Sequence, residues 1–355
     1  MACGRRVAHN HRIHSPAPIR PSKNAPTLEA TDARLNRIVR LLTNNATVVV
    51  SGTKIAAELG ASRSEVWRLI RLLRDNGVAI AGHPSIGYQL EATPDLLLPE
   101  ILAPLLAGTM FAGQVRHYFR TGSTNVLALD AGAAGASEGA TFLAEEQTAG
   151  RGRGGHVWHS ARADGIYCSV LLRPQLPPTQ VLLLSLAAGL AVRSAIVEVT
   201  GLEADLKWPN DLMLANKKFC GILTEMHSEA TRVRHVVVGV GVNVNQKAFP
   251  EEIREQATSL YLESRILGSR VELVGALLKS LDREYRALMS EPEARESILH
   301  RFQEHSSWTN DCAVRIEDDE SFAGITAGLD GQGFLQVRTP QGLRTVVSGT
   351  VRRSQ

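Results

Sequence analysis

The sequence has few cysteines and few aromatic residues. Cys3, Cys168, Cys220 and Cys312 lie too far apart along the 355 residues to form a C-x-x-C pair, a zinc ribbon or a dense disulfide framework. Aromatic residues make up 5% of the chain, while 44% of it is hydrophobic and 21% charged, which is ordinary for a soluble globular protein. We therefore expect a cytoplasmic protein of roughly two or three domains in a reducing compartment.

Long hydrophobic runs are absent as well. The longest, residues 181–192, is interrupted by Ser185 and Gly189 and stops at Arg193. It is shorter than the ~20 apolar residues that cross a bilayer. No secretory hydrophobic region is present near the N-terminus. We expect a protein that does not contact a membrane.

The small net charge of +3 conceals two oppositely charged parts. Residues 1–90 hold 13 lysines and arginines against 5 acidic residues, whereas the other 265 residues hold 26 against 31. A basic end on an acidic body is a common footprint of nucleic-acid contact, although a solvated basic tail gives the same balance.

Part of the positive charge lies in residues 1–28. This segment has five basic side chains, no acid and four prolines, and it has too few apolar residues to build a core. We expect a disordered basic tail. An organelle transit peptide is the alternative that its arginine-rich start raises.

Residues 29–93 have the pattern of a winged helix-turn-helix domain. An apolar stripe that begins at Leu35 predicts a first helix, with Thr31 or Asp32 as its N-cap. Further helices and a short hairpin, or wing, follow from turn and capping signals. The segments predicted for them are Thr53–Leu59, Ser62–Asn76, Val78–Ala81 and Tyr88–Leu90.

The start of the third helix carries the candidate DNA contacts. Ser62 and Glu65 form a capping box there, and the first turn of such a helix enters the major groove in helix-turn-helix proteins. A three-helix bundle with a solvated basic face is the alternative. The side chains that would reach base edges or phosphates are Ser62, Arg63, Ser64, Trp67 and Arg68.

After a linker that contains Pro94, residues 94–303 alternate helices with apolar strands, which predicts an α+β domain of catalytic size. The last segment, residues 304–355, changes to short β segments separated by glycines and predicts a small all-β barrel. The predicted helices of the central domain are Leu97–Leu106, Thr179–Val199 and Val271–Ser290, and its strands are Thr141–Ala144, Ile166–Leu172, Ala204–Lys207, Gly221–Glu225 and His235–Val244.

The densest glycine cluster lies in residues 147–155. Its glycines allow the backbone to approach a ligand closely, while Arg151 and Arg153 supply positive charge. The pattern is typical of a loop that binds a phosphate or a carboxylate, although a flexible hairpin tip is also rich in glycine. A dinucleotide site lacks its helix and its acidic residue here, and a Walker loop lacks its Gly-Lys-Ser/Thr.

Candidate nucleotide ligands follow in the next two motifs. Lys207, Asn210 and Asp211 flank Pro209 at a predicted strand end, where an amide and a carboxylate could hold Mg²⁺ or nucleotide oxygens, or could form a plain turn. Lys218 begins an apolar strand, where its compact ammonium group suits a phosphate.

Two glycines, Gly239 and Gly241, interrupt the apolar run that leads to Asn243. Glycines in a buried strand usually mark the close approach of a ligand or of another backbone. Asn243 could then bond a purine edge. A bulged core strand explains this run equally well.

Together these segments resemble the biotin protein ligase family, in the bifunctional form that also represses the biotin operon. The resemblance implies an α+β multidomain fold: an N-terminal winged helix-turn-helix, a central mixed sheet of the class II aminoacyl-tRNA synthetase and biotin synthetase type, and a C-terminal SH3-like barrel. The matching segments are Gly122–Asn125, Gln147–Gly155, Lys207–Asp211, Lys218–Glu225 and Gly239–Asn243.

The resemblance also implies a reaction and its residues. Biotin and ATP would give biotinyl-5′-AMP, whose acyl group passes to a lysine of the biotin carboxyl carrier protein of acetyl-CoA carboxylase. Lys218, Arg153 and Arg151 would be catalytic, and Asp211 would bind Mg²⁺. Biotin would be bound by Ser123, Thr124, Asn125, Gln147, Gly150, Arg151, Lys218 and Gly221, and ATP or the adenylate by Arg153, Trp158, Lys207, Asn210, Asp211 and Asn243. The further partners would be operator DNA and a second copy of the chain, in an adenylate-bound homodimer.

The sequence departs from the family pattern in three places. Gly154 and Thr350 stand where an arginine and a glutamate are common, and the wing lacks the usual lysine beside Gly87. Two other functions stay open. One is a regulator that senses biotin or its adenylate without transferring it. The other is a ligase for lipoate or another acyl group, which the double-arginine loop disfavours.

Overall fold

The computed structural model describes residues 28–83, 85–92, 94–229, 232–317 and 320–354. The predictions of a disordered tail or a transit peptide over residues 1–28 therefore lie outside the described residues, apart from Leu28. Three separate sheets follow one another along the described chain, with two, seven and five strands. They correspond to the three units that the sequence predicts.

The N-terminal unit consists of three helices and a hairpin. Ser62 caps the third helix, because its hydroxyl accepts the backbone N–H of Glu65 at 3.2 Å. Gly87 is required in the wing, since a Cβ there would lie 2.0 Å from the carbonyl oxygen of Val50. The elements are α1 (Leu28–Thr43), α2 (Gly52–Leu59), α3 (Arg63–Asp75), β1 (Ile80–His83) and β2 (Gly87–Leu90).

The prediction of an N-cap for α1 at Thr31 or Asp32 was wrong. The helix begins by Leu28, so both residues lie inside it. The buried carboxylate of Asp32 accepts the backbone N–H of Phe119 in the central domain, at 3.1 Å. This acidic side chain therefore joins α1 to the next domain instead of capping the helix.

The central domain is built on a mixed sheet. Its strands are β3 (Val115–Tyr118), β4 (Thr141–Ala144), β5 (Gly165–Leu172), β6 (Asp205–Lys207), β7 (Asp211–Leu214), β8 (Lys217–Ser228) and β9 (Val233–Asn243). They lie in the order β3-β4-β5-β9-β8-β7-β6, and only the β3–β4 pair is parallel. All five predicted strands are confirmed, and β3 and β7 are additions.

Helices cover both faces of this sheet. They are α4 (Pro99–Leu102), α5 (Thr124–Ala133), α6 (Leu182–Thr200), α7 (Leu260–Ser264), α8 (Arg270–Ser290) and α9 (Ala294–Glu304). On one face α5 packs with Leu171 and Val237, and on the other α6 packs with the alternate residues and with α8 and α9. The helix predicted over 97–106 is a single turn, α4, followed by irregular turns.

The most apolar helix, predicted over Thr179–Val199, is confirmed as α6. By length and composition the segment Pro178–Thr200 could cross a membrane, but 72% of its most apolar window is buried inside the protein. It contains α6, which packs between the sheet and α8. Its hydrophobicity is explained by burial on nearly all sides.

The C-terminal unit is an antiparallel sheet of five strands in the order β13-β12-β11-β10-β14. Its strands are β10 (Asn310–Glu317), β11 (Phe322–Leu329), β12 (Leu335–Thr339), β13 (Gly342–Val346) and β14 (Thr350–Arg353). Within the described residues the strand pairing leaves β13 and β14 at the two edges. The β-rich character is confirmed, and the SH3-like barrel stays a prediction.

A buried ion network joins the linker to the sheet. The Arg270 guanidinium lies 2.6 Å from Glu145 Oε2 and 3.0 Å from Asp95 Oδ2. Glu145 also accepts the backbone N–H of Leu97 and contacts His117 Nε2, both at 3.0 Å. Burial alone would raise the pKa of Glu145, but Arg270 and His117 lower it to about 2. The linker that follows the winged unit is thereby fixed to the domain that carries the site.

Candidate active site

The floor of the site consists of glycines on two neighbouring strands. Gly221 of β8 and Gly241 of β9 are partners in register. A Cβ at Gly241 would lie 2.6 Å from the Trp158 indole, and one at Gly239 would lie 2.0 Å from Asn125 Oδ1. Gly239 and Gly241 were predicted to mark the close approach of a ligand or of another backbone. The groups that approach are side chains of the protein itself.

The first turn of α5 forms a polar corner beside this floor. The backbone N–H and hydroxyl of Thr124 donate to Gln147 Oε1 at 2.8 and 3.1 Å. The Gln147 amide in turn donates to Ser160 Oγ at 3.0 Å. Ser123 is buried next to Thr124. Residues that were predicted from two distant motifs therefore meet, and their hydrogen bonds fix the direction of the Gln147 amide.

Asn125 is held by two residues that sequence reasoning missed. Its amide donates to Glu225 Oε2 at 2.8 Å, and its carbonyl accepts from Ser169 Oγ at 2.6 Å. Ser169 is fully buried in the apolar strand β5. The serine hydroxyl in such an apolar run was the available signal, because a buried polar group needs a partner.

The arginine-glycine loop folds back over the floor. The backbone N–H of Trp158 donates to the Gly150 carbonyl at 3.0 Å, which closes the loop. Gly154 has φ of +66°, so the arginine that is common at this position in the family would have a strained backbone here. Arg151 is 3.9 Å from Glu225 Oε1. The Arg153 guanidinium donates to the Gly349 carbonyl of the C-terminal unit at 3.1 Å. The loop therefore contacts two domains.

Lys218 provides a cation at the edge of the floor. Its Nζ lies 2.6 Å from Asp211 Oδ1 and 5.5 Å from the centroid of the Trp158 ring. Asp211 was predicted in a loop, but it is the first residue of β7. Asn210 is held in the preceding turn, where its amide donates to the Ile222 carbonyl at 2.7 Å. The Asp211 carboxylate thus anchors the Lys218 ammonium group.

Lys207 and Asn243 lie apart from the cavity. The Lys207 ammonium is 4.5 Å from the centroid of the Trp308 ring, and burial lowers its pKa, with Lys218 adding to the effect. The Asn243 amide is buried and donates to the Thr258 carbonyl at 3.0 Å. Their contact with ATP stays a prediction.

These groups enclose a small cavity of about 40 Å³. That volume holds only a few water molecules, whereas pockets for cofactor-sized ligands start at roughly 300 Å³. A large ligand would therefore enter only if the loop with Trp158 moves. The predicted residues that line the cavity are Ser123, Thr124, Asn125, Gln147, Arg151, Arg153, Trp158, Asn210, Lys218 and Gly221.

Tyr167 and Cys168 also line the cavity and were not predicted. Burial raises the pKa of the Cys168 thiol to about 12 and raises that of the Tyr167 hydroxyl, which donates to the Ala161 carbonyl at 2.7 Å. Neither group is therefore poised to react as an anion near neutral pH.

The predicted DNA contacts lie on one exposed end of α3. Trp67 is 56% exposed, and the Arg71 guanidinium lies 5.7 Å from the centroid of its ring. Arg68 donates two hydrogen bonds to Glu65, at 2.7 and 2.8 Å, which lower the pKa of that carboxyl group. Arg71 was missed, although it is four residues after Trp67 and so faces the same side. Arg63 and Ser64 are exposed beside them.

Among the residues that the structure describes, no group of three or more His, Cys, Asp or Glu side chains lies close enough together to hold an ion. Asp211 is thus a single carboxylate beside a lysine.

Comparison with known proteins matches each of the three units to a domain family. Residues 120–243 match the biotin/lipoate A/B protein ligase family, residues 34–89 match an HTH domain, and residues 312–352 match the biotin protein ligase C-terminal domain. The order of the matches is the order of the three units in the structure.

Individual relatives of the chain agree with these matches. The chain is 33% identical to the bifunctional ligase/repressor BirA of Bacillus subtilis over 88% of its own length and 97% of the relative. It is 37% identical to the biotin–[acetyl-CoA-carboxylase] ligase of Mycobacterium tuberculosis, over 64% of this chain and 84% of that one. The biotin protein ligase of Aquifex aeolicus, solved with biotin and ATP, superposes with a TM-score of 0.60 at 29% identity, covering 68% of this chain and 99% of that one. The chain belongs to the biotin protein ligase family.

Proposed function

We propose that this protein activates biotin with ATP as biotinyl-5′-AMP and transfers the biotinyl group to a lysine of the biotin carboxyl carrier protein of acetyl-CoA carboxylase. The observation that carries the proposal is the joint placement of three features around one cavity: the polar corner, the arginine loop and Lys218. The relatives named above include ligases for biotin, and one was solved with biotin and ATP.

The cations suit the first half-reaction. When the biotin carboxylate attacks the α-phosphate, two anionic groups come together, and fixed positive charge lowers the cost. Lys218, Arg151 and Arg153 all line the cavity. The protein needs only to position the reactants and to neutralise this charge, since the leaving group is already present in ATP.

The polar corner suits the ureido ring of biotin. Ser123, Thr124 and Asn125 present donors and acceptors from buried positions, and Gln147 is fixed against Thr124. A neutral head with both N–H and C=O groups is best bound by such preorganised partners, because an unpaired buried polar group is costly. We infer that biotin binds with its ring here and its carboxylate towards Lys218.

Asp211 would bind Mg²⁺ together with the phosphates of ATP. Magnesium is usually held by one or two carboxylates plus substrate phosphates, with several waters, so a single carboxylate is sufficient. The Asp211 carboxylate meets Lys218 at 2.6 Å and thus lies where a phosphate would be bound. The ion would neutralise charge on the triphosphate.

The decisive experiment incubates the purified protein with biotin, MgATP and an apo carrier domain. Biotinylation of the carrier, read as a gain of mass, is expected. An unchanged carrier mass, with biotin still bound, would favour the regulator that only senses biotin. Competition between labelled biotin and lipoate tests the other alternative, since a lipoate ligase would label the carrier with lipoate.

We further propose that the protein represses transcription at an operator, as a homodimer that adenylate binding favours, in the cytoplasm. The match to an HTH domain and the exposed Trp67 and Arg63 on α3 support DNA binding. The wide spacing of the cysteines supports a reducing compartment. For the C-terminal unit we propose an SH3-like barrel, on the support of its five short antiparallel strands.

A further inference from the structure

Glu225 is a carboxylate to which the proposed reaction gives no role. It lies on β8 opposite Val237 of β9, on the face of the sheet that packs against α5. Its Oε2 accepts the Asn125 amide at 2.8 Å, and its Oε1 lies 3.9 Å from Arg151 Nη1. Glu225 does not itself line the cavity. One side chain therefore contacts both the polar corner and the arginine loop from outside the space that a ligand would fill.

The orientation of the Asn125 amide is fixed from two sides. Its Nδ2 faces the Glu225 carboxylate at 2.8 Å and the Leu223 carbonyl at 3.3 Å, and both of these groups only accept hydrogen bonds. Asn125 Oδ1 must then face Ser169, whose hydroxyl donates to it at 2.6 Å. The contact with Glu225 is the shorter of the two on Nδ2 and involves a carboxylate, so it is the stronger constraint.

Ser169 has one hydroxyl proton and two oxygens within reach. Asn125 Oδ1 lies 2.6 Å away, and Thr124 Oγ1 lies 2.8 Å away. While the Asn125 carbonyl faces Ser169, the proton is used at the shorter contact. The Thr124 hydroxyl uses its own proton on Gln147 Oε1, at 3.1 Å, and Thr124 lines the cavity. Thr124 Oγ1 therefore keeps a lone pair that can accept an N–H from a ligand.

This acceptor would be lost if the Asn125 amide turned over. Asn125 Nδ2 would then face Ser169, and the Ser169 proton would pass to Thr124 Oγ1. An N–H of the ligand would be left unpaired in a buried site, which is costly. The acceptor that Thr124 offers thus depends on Glu225, although Asn125 and Ser169 lie between them.

The second oxygen of Glu225 attracts the arginine loop. The Arg151 side chain is 55% exposed, so its pairing with Glu225 is screened by water and weak. Such a contact favours the position of the loop beside the polar corner and still lets the loop move. The same carboxylate therefore acts on the corner and on the loop.

We propose that Glu225 is a positioning residue that makes the site selective for a ring with an N–H donor, such as the ureido ring of biotin. It acts on the ligand through Asn125, Ser169 and Thr124, and on the loop through Arg151. A site built around such a hydrogen bond rejects analogues that lack the N–H, because its own acceptor is then left unpaired. This inference rests on the proposed ligase function and adds the residue that orients the biotin pocket.

The test compares Glu225→Leu with Glu225→Gln in the full-length protein. Leucine offers the Asn125 amide no acceptor, whereas glutamine keeps an oxygen for it and removes only the charge. The matched control is Glu229→Gln, which removes the same charge just beyond the end of β8, where Glu229 pairs with Arg234. Calorimetric titration measures the binding of biotin and of its two carbamate analogues, in each of which a ring oxygen replaces one ureido N–H.

We expect the unaltered protein to bind one carbamate analogue about 10²-fold more weakly than biotin, since a buried acceptor loses its donor. Glu225→Leu should weaken biotin binding by about 10- to 10²-fold and should reduce the discrimination against that analogue to below about threefold. Glu225→Gln and Glu229→Gln should keep the affinity for biotin within about threefold and should keep the discrimination.

Release of preformed adenylate tests the contact with the loop. Glu225→Gln should speed release by about two- to fivefold, because Arg151 loses its partner. Arg151→Gln should give at least this increase, and the two substitutions together should release the adenylate no faster than Arg151→Gln alone. Glu229→Gln should release it at the unaltered rate.

Four results would contradict the inference. Equal binding of biotin and both analogues by the unaltered protein would show that Thr124 accepts no N–H from the ligand. Weaker biotin binding by Glu225→Leu with full discrimination would give Glu225 a purely structural role. Equal losses of biotin affinity in the Gln and Leu variants would assign the effect to charge and not to Asn125. Additive effects of Glu225→Gln and Arg151→Gln on release would show that Glu225 does not act through Arg151.

Glu225→Asp covers the case in which Glu225→Leu does not fold. Its carboxylate is one methylene shorter and withdraws from Asn125, so the discrimination should fall, and an unchanged value would count against the inference. Adenylate formation separates this inference from the proposed function. An unaltered protein that discriminated between biotin and the analogue but formed no adenylate would contradict the ligase and leave the role of Glu225 in the pocket standing.

Discussion

Trp158 and Lys218 share the space above Gly221 and Gly241. The indole lies against the glycine floor, and the ammonium group stands 5.5 Å from the ring centroid, within reach of a cation–π attraction. Because the ring covers the glycine floor, a ligand can contact that floor only if the ring moves away from it or tilts. The loop that carries Trp158 is thus coupled to occupancy of the site.

Lys218→Gln is expected to reduce adenylate formation by about 10²- to 10³-fold, the usual loss for one group that stabilises developing charge. The ammonium group would be removed from the place where carboxylate and α-phosphate meet. Biotin-dependent exchange of labelled pyrophosphate into ATP measures this step alone.

The matched control is Lys217→Gln. Neighbouring residues on a strand point to opposite faces, so the same charge is removed from the other side of β8. Exchange close to that of the unaltered protein is expected. An equal loss in both variants would show that the charge acts through the strand and not at the cavity.

Glu145→Gln is expected to lower the free energy of unfolding by about 3–5 kcal/mol, because the buried Arg270 guanidinium would lose its fully buried carboxylate partner and keep only the partly exposed Asp95. Urea denaturation at pH 7 measures the change. Glu146→Gln serves as the control, since both of its partners, Arg120 and Arg162, have solvent-exposed side chains, and should cost at most about 1 kcal/mol.

The low pKa of Glu145 gives this contribution a pH dependence. A carboxyl group whose pKa falls on folding stabilises the protein above its ordinary pKa of about 4.3, and the stabilisation is lost as the pH falls towards 2. Stability should therefore drop across this window in the unaltered protein and drop less in Glu145→Gln. A parallel decline in both would assign the acid sensitivity to other carboxylates.

Among single residues, the sequence predicted the site side chains that occur in compact motifs. Ten predicted residues line one cavity although they come from four separate segments. The Glu145–Arg270 pair could not be predicted, because 125 residues separate the partners and only the folded sheet brings them together. Glu145 follows an apolar strand directly, which suggested neither burial nor an ion pair.

At the scale of elements, α3 combines structural and recognition roles. Ser62 uses its hydroxyl to cap the helix, and Arg68 is bound to Glu65. Arg63 and Trp67 are exposed, and neither side chain caps the helix or is bound to Glu65. We therefore assign direct DNA contact first to Arg63 and Trp67 among the five predicted residues.

Arg63→Ala is expected to weaken DNA binding and to reduce the slope of log affinity against log salt by about 1, the effect of losing one phosphate contact. A duplex selected from a random library by the full-length protein is the probe, and filter binding at several salt concentrations is the measurement.

Arg37→Ala is the control for this prediction. Arg37 is an exposed arginine of α1 that pairs with Glu58, away from α3. It should leave the salt slope unchanged, and both variants should biotinylate the carrier normally. A fall in biotinylation with Arg63→Ala would mean that α3 serves the fold of the whole chain.

Elements with strong periodicity or capping signals were predicted, and those without them were missed. The third helix has both signals and is confirmed. Helix α5 is rich in alanine and glycine and has no apolar stripe, so periodicity could not reveal it. Strand β7 begins after a tight turn at Pro209 and Asn210, which the sequence indicated only as a loop.

For the whole molecule, the winged unit is packed onto the central domain. Phe119 is 4% exposed, and with Leu96 and Leu98 it belongs to the apolar core formed by α1, α2 and α3. Four residues after Phe119, Ser123 already lines the cavity. The sequence predicted a linker around Pro94. In the structure this segment is buried, because Leu96 and Leu98 pack with Phe119 in the core of the winged unit.

Phe119→Ala is expected to remove about 3–5 kcal/mol from this junction, as for other buried phenylalanines. Calorimetry should then show the winged unit unfolding at a lower temperature than the rest, as a separate transition. Ile325→Ala, an exposed position on the C-terminal sheet, should leave the thermogram unchanged. A uniform downward shift with Phe119→Ala would argue against a specific role at the junction.

The packed junction also affects the spacing of the operator half-sites that a dimer of this protein would bind. In a pair of chains joined through their central domains, the two copies of α3 could not drift independently, because Phe119 and Asp32 hold each winged unit in place. The separation of the two half-sites, about 34 Å or a multiple for a helix-turn-helix dimer, would be dictated by the contact between catalytic domains. The contact between the two central domains, and not the length of the linker, would then set the operator spacing.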